Sequence, residues 1–109
     1  ARLRAIKADI VAHGGHVDLS AQDVAARHGL SARYVRKLFE SDGTSLIDFM
    51  MTQRLARAHR MLGDPRHAGR SITAIAYEAG FNDLSYFNRA FRRRYDATPS
   101  DVRAAACKH

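Results

Sequence analysis

One short pattern occurs twice in this chain, and it limits the possible folds more than any other feature. AARHGLSARYVRKLF (25–39) aligns with AYEAGFNDLSYFNRAF (76–91), Gly29 against Gly80 and Phe39 against Phe91. The second copy is one residue longer after its glycine. Each reads as a short helix, a glycine, an apolar residue, a polar cap and a second helix with an aromatic near its end. Glycine enters left-handed backbone without a side-chain clash, so two helices can meet there at a steep angle. Any pair of packed helices can share such a turn. Two copies 51 residues apart, each followed by basic residues, argue for a helix-turn-helix used twice.

The remaining segments also read as helical. Leu3, Ile6, Ile10 and Val11 form one stripe, closed by Gly14-Gly15. Ser20 caps a short helix with Asp23 three residues on, in a capping-box arrangement, and Gly29 ends it. Ser31 opens the next helix, which turns Val35, Leu38 and Phe39 inward and stops near Gly43. Ser45, with Asp48, starts a long helix carrying Leu46, Met50, Leu55, Ala58 and Leu62. It ends at Gly63-Asp64-Pro65, and the stretch through Gly69 reads as a loop. Ser71 begins a short helix with Ile72, Ile75 and Ala76, ended near Gly80. Asn82 or Asp83 caps the helix holding Phe87, Ala90 and Phe91. Thr98 then caps, Pro99 takes the first helical position and Asp101 falls in the first turn. The expectation is an all-α fold of seven helices without a sheet. Its parts are a first helix-turn-helix subdomain (1–45), a connecting helix (46–63) and a second helix-turn-helix subdomain (64–109).

A chain of 109 residues can hold one compact core or two very small ones. The long helix, Leu46 to Leu62, spans roughly 26 Å at the standard rise. Successive major-groove faces of B-DNA lie roughly 34 Å apart. With the widths of the flanking elements added, one rigid connector can hold two reading helices a DNA turn apart on one side.

Charge names the partner class. The formal net charge is +7 with a pI near 10.3, a balance that favours polyanions, nucleic acid first and an anionic membrane surface second. Fifteen of the eighteen basic residues are arginine, which suits bidentate contacts with phosphate or guanine, although a GC-rich genome enriches arginine too. Between Leu84 and Arg94 there are four arginines and no acid. Arg33, Arg36 and Lys37 fall at i, i+3 and i+4 of the first candidate reading helix, opposite its apolar stripe. Ser85, Asn88, Arg89 and Arg92 fall at i, i+3, i+4 and i+7 of the second. Arginine and lysine donate to guanine O6 and N7, and asparagine bridges adenine N6 and N7. Arg92, at the end of its stripe, and Arg93 and Arg94, which point elsewhere around the helix, are assigned to phosphate. A solvated basic face would need to account for two such stripes at matching places in a repeat.

The residues resemble the DNA-binding domain of the AraC/XylS family of bacterial transcription regulators over nearly the whole chain. The most specific parts are RLARAHRML (54–62) and ITAIAYEAGFNDLSYFNRAFRRRYDATPSDVR (72–103). The resemblance implies seven helices, with two helix-turn-helix units joined by a long helix. It implies base contacts at Arg33, Arg36 and Lys37, and at Leu84, Ser85, Asn88 and Arg89. Asp96 stands where many members have glycine, and Leu84 where the residue is often polar. A leucine there can touch a thymine methyl. The family usually carries a second domain that senses a small molecule or dimerises. The start at Ala1-Arg2-Leu3, without an initiator Met, fits such a domain lying upstream.

Other chemistry is not indicated. His13, His16, His28, His59, His67 and His109 form no Cys/His quartet and no H-E-x-x-H pair, so neither a structural zinc nor any other metal or cofactor is expected. Cys107 has no nucleophile motif around it and sits in a tail expected to fray. There is no P-loop, G-x-G-x-x-G or G-x-S-x-G, and no enzyme is expected. No secretory or transmembrane run is present, and a cytoplasmic, nucleoid-associated protein without a membrane partner is expected. The function expected is sequence-specific binding of double-stranded DNA at an operator or promoter, regulating transcription. Two alternatives stay open: a helical module docking an acidic partner such as RNA polymerase, and a non-specific nucleic-acid coat.

Overall fold

A computed structural model describes residues 2–13 and 20–106 of the chain. Within them lie seven α-helices and no strand: α1 (Arg2–His13), α2 (Ala21–Arg27), α3 (Ala32–Ser41), α4 (Leu46–Leu62), α5 (Ile72–Glu78), α6 (Leu84–Tyr95) and α7 (Pro99–Ala106). The Gly14-Gly15 stop, His16, Cys107 and His109 lie outside the described residues.

Side-chain oxygens fix the starts of these helices by accepting backbone N–H groups that have no partner inside a helix. Ser20 and Asp23 form a reciprocal capping box, and Thr98 and Asp101 exchange the same two bonds. Ser31, Ser45 and Ser71 each accept from the residue three ahead. Of Asn82 and Asp83, the cap is Asp83, whose Oδ1 accepts the Tyr86 N–H at 3.1 Å. The segment 64–69 is not wholly a loop, as the sequence had suggested. Asp64 Oδ1 accepts the Arg66 N–H, and with Pro65 in first position the chain winds into a 3-10 turn, Pro65–His67.

Glycine closes both short helices in the same way. Gly29 (φ 67°) and Gly80 (φ 110°) are left-handed. The next residue's N–H reaches back five residues, from Leu30 to the Ala25 carbonyl at 2.9 Å and from Phe81 to the Ala76 carbonyl at 3.0 Å. That bond turns Leu30 and Phe81 inward, each toward the core of its own helix pair.

There are two cores. Ile6, Ile10, Val24, Ala25, Val35, Phe39, Leu46 and Met50 form the first. Leu55, Ala58, Met61, Leu62, Ile75, Ala76, Ala79, Phe81, Phe87 and Phe91 form the second. Among the described residues only α4 serves both, its first turns one and its later turns the other. In the second core the rings run in series: Phe81 to Phe87 at 4.9 Å between centroids, Phe87 to Phe91 at 5.6 Å, Phe91 to Tyr95 at 4.8 Å and Tyr95 to His59 at 4.4 Å. Each fully buried ring contributes about 1.5–3 kcal/mol by burial, and each favourable pair about 0.5–1.5 kcal/mol more.

Polar ties hold the outer helices. The Asp9 carboxylate accepts from Arg27 at 2.9 Å and pairs with His28 at 3.0 Å, joining α1 to α2. Lys7 pairs with Asp42 beyond α3. Arg103 of α7 donates to the carbonyls of His67 and Arg70. The molecule measures 45 × 24 × 23 Å, with α4 joining its two helix groups.

Candidate nucleic-acid interface

The two copies superpose most simply when counted from their caps, Ser31 and Asp83. Four residues on lie Val35 and Phe87, and eight on lie Phe39 and Phe91, all fully buried. These anchors fix the rotation of α3 and α6. Two residues on are Arg33 and Ser85, five on Arg36 and Asn88, six on Lys37 and Arg89, and all six are exposed. The structure therefore brings the sequence-predicted polar residues to equivalent places on two helices. Among the described residues, Arg33, Arg36, Lys37 and Arg89 enter no ion pair; those present use Lys7, His13, Arg27, His28, Arg66 and Arg70. The two outer faces are positive on balance, with exposed Glu40 sharing the α3 stripe.

The flanks of α6 differ. Leu84, Asn88 and Arg92, one turn apart from each other, line a groove of about 500 Å³ against Ile72 and Thr73 of α5 and Pro99 of α7. Tyr86, Arg93 and Arg94 face a second groove of about 290 Å³, whose far wall is Asp48, Met51 and Thr52 of α4. Arg92 therefore diverges from Arg93 and Arg94, and the three guanidinium groups splay to both sides of the helix. Leu84 is 37% exposed, a large apolar side chain at the first position of α6 where α3 has Ala32. Asp96 closes α6 in left-handed backbone (φ 53°), its N–H donating to the Arg92 carbonyl at 2.8 Å. Aspartate tolerates that conformation better than most residues, so the missing glycine does not disrupt the turn.

The sequence reading missed two residues on these faces. Tyr34 and Tyr86 both lie three residues past their caps and are 40% and 41% exposed. Each puts a phenol beside its polar stripe, and the Arg2 guanidinium sits 5.9 Å over the Tyr34 ring. Counting from caps instead of from glycines would have paired them. A second missed contact is structural. A Cβ placed on Gly80 would lie 3.0 Å from Arg54 Cδ, so the Arg54 stem packs directly on the second turn, and burial lowers the pKa of its guanidinium.

Residues 24–105 match the profile of a helix-turn-helix domain of the AraC type. The chain belongs to the AraC-type helix-turn-helix family. It is 38% identical over 105 residues to the transcriptional activator RhrA of Rhizobium meliloti, covering 96% of this chain and 33% of RhrA. The chain spans about a third of the length of the curated relatives it matches. A probable AraC family transcriptional regulator from Rhodopseudomonas palustris has the same fold at a TM-score of 0.82 and 29% identity, over 95% of each chain. A regulator with an AraC-type DNA-binding domain from Chromobacterium violaceum also gives 0.82, at 27% identity over 95% of this chain and 90% of that one. AraC-type domains bind DNA in transcription regulation, and the family is not one of enzymes. Among the described residues no helix is long and apolar enough to cross a membrane, and no group of three histidine, cysteine or acidic side chains is placed to hold a metal.

Proposed function

We propose that this domain grips one face of a DNA duplex with both heads, α3 and α6 entering consecutive major grooves, as the output part of a transcription regulator. The observation that carries the reading is the cap-matched exposure of Arg33, Arg36 and Lys37 on α3 and Ser85, Asn88 and Arg89 on α6, both helices mounted on one α4. The 45 Å long axis exceeds the ~34 Å between groove faces, so both heads fit within one molecule. Arg33, Arg36, Lys37 and Arg89 donate to guanine, Asn88 bridges adenine, Ser85 serves either, and Leu84 meets a thymine methyl. Arg92, Arg93 and Arg94 hold phosphates on both flanks of α6, with Tyr34 and Tyr86 adding hydroxyl donors. Residues 1–45 and 64–109 act as the two heads and 46–63 as the strut between them.

The length of the relatives supports a sensor or dimerisation domain elsewhere in the full protein, and the activator name of RhrA supports contact with RNA polymerase at the promoter. The place of work is then the cytoplasm, at the nucleoid. Selection from random duplexes followed by footprinting tests the proposal. Two protected major-groove stretches about a turn apart on one face are expected; a single stretch or uniform protection overturns it. On the selected site, Arg36→Ala and Arg89→Ala relax the preference at particular base pairs, whereas Arg93→Ala weakens all sequences alike.

A further inference from the structure

A cleft of about 320 Å³ opens between Arg57 and Arg60 of α4, Arg66 and His67 of the 3-10 turn, and Glu78 at the end of α5, with Met61 in its wall. At about 100° per residue, Arg57, Arg60 and Met61 lie roughly 180° around α4 from Asp48, Met51 and Thr52, the residues that face α6. The cleft is therefore on the back of the molecule relative to the second reading helix.

Its own acids are already engaged. Asp64 accepts from Arg66 through both carboxylate oxygens, which holds its carboxyl down to about 2, and Glu78 pairs with Arg70. Neither Arg57 nor Arg60 belongs to an ion pair of the described residues, although, after the Arg70 hydrogen bond, the Arg57 charge helps hold the Glu78 carboxyl below its usual range. His67 Nδ1 is buried without a hydrogen-bond partner at the same place.

We propose that this cleft docks a short acidic segment of a partner protein, with carboxylates on successive helical turns meeting Arg57 and Arg60. Those two arginines are three residues apart on α4, a rise of about 4.5 Å, which matches acids at i and i+3 of a facing helix. Protein fits better than nucleic acid. The site is concave and small, and Met61 gives it an apolar wall that a leucine-bearing peptide can cover and a phosphodiester cannot. The inference rests on the DNA reading only in that the duplex leaves this side open.

The test is fluorescence anisotropy of a labelled twelve-residue helical peptide carrying two glutamates three apart and one leucine. It is titrated with the 109-residue chain, alone and saturated with a selected duplex. Binding is expected in both settings. Arg57→Gln with Arg60→Gln should weaken it at least tenfold, and Arg93→Gln with Arg94→Gln less than twofold. DNA affinity of the Arg57/Arg60 variant should stay within about threefold, which also reports that it folds. No binding by the wild-type chain, displacement of the peptide by duplex, or equal loss in both variants overturns the proposal. So does a DNA salt slope shallower by about two in the Arg57/Arg60 variant, since the cleft would then be a phosphate surface. If no duplex is selected, the DNA reading fails on its own and the peptide titration without DNA still decides the cleft.

Discussion

Leu84 separates the two heads chemically. The first head offers three cations, all donors suited to guanine. The second offers asparagine, serine, arginine and one apolar side chain, so its half-site is expected to contain A·T pairs. Thymine is the only standard base with an apolar group in the major groove, its C5 methyl. Replacing the contacted thymine by deoxyuridine removes that methyl and nothing else. The wild-type chain should then bind about fourfold more weakly, the equivalent of one buried methyl at ~0.8 kcal/mol. Leu84→Ala should bind the two duplexes equally, and paired anisotropy titrations measure both. Equal loss in both proteins would mean that the methyl touches something other than Leu84. The exposed polar stripes were legible in the sequence because i, i+3 and i+4 spacing places them opposite Val35 and Phe87. The exposure of Leu84 was not legible, because it depends on how far α5 stands from α6.

At the scale of elements, the two turns look alike and should respond differently to the same substitution. Gly29 has open space around its missing Cβ and φ 67°, within the left-handed helical region. An alanine there should cost about 1–2 kcal/mol. Gly80 has φ 110°, outside that region, and Arg54 against it. Gly80→Ala should cost more, toward about 3 kcal/mol, because the backbone is strained and Arg54 must shift. Denaturation midpoints of the two variants give the comparison, and equal losses would remove Arg54 from the account. Serine caps, both turn glycines and the aromatic anchors announced the helices in the sequence. The 3-10 turn was hidden because Gly63-Asp64-Pro65 reads as a plain stop. The Arg54–Gly80 contact was hidden because it joins residues 26 positions apart that meet only after α5 folds back on α4.

Taken as a whole, the molecule carries exposed cations on both α3 and α6 and has a long axis greater than one turn of DNA. If about six phosphates are neutralised, log K against log salt should fall with a slope near −5. Removing Arg93 and Arg94 together should make that slope shallower by about two, as read from titrations across a salt series. The net charge pointed to a polyanion from composition alone, but the back cleft did not, since residues 57 to 78 assemble it only through tertiary packing. The division of α4 between two cores has a practical result. Met50 belongs to one core and Met51 packs against the other. A splice between those methionines would leave each core on its own side, with Asp48 across from Arg93 and Arg94 the contact to be matched, so heads from different relatives could be recombined there, each keeping its own taste for sequence.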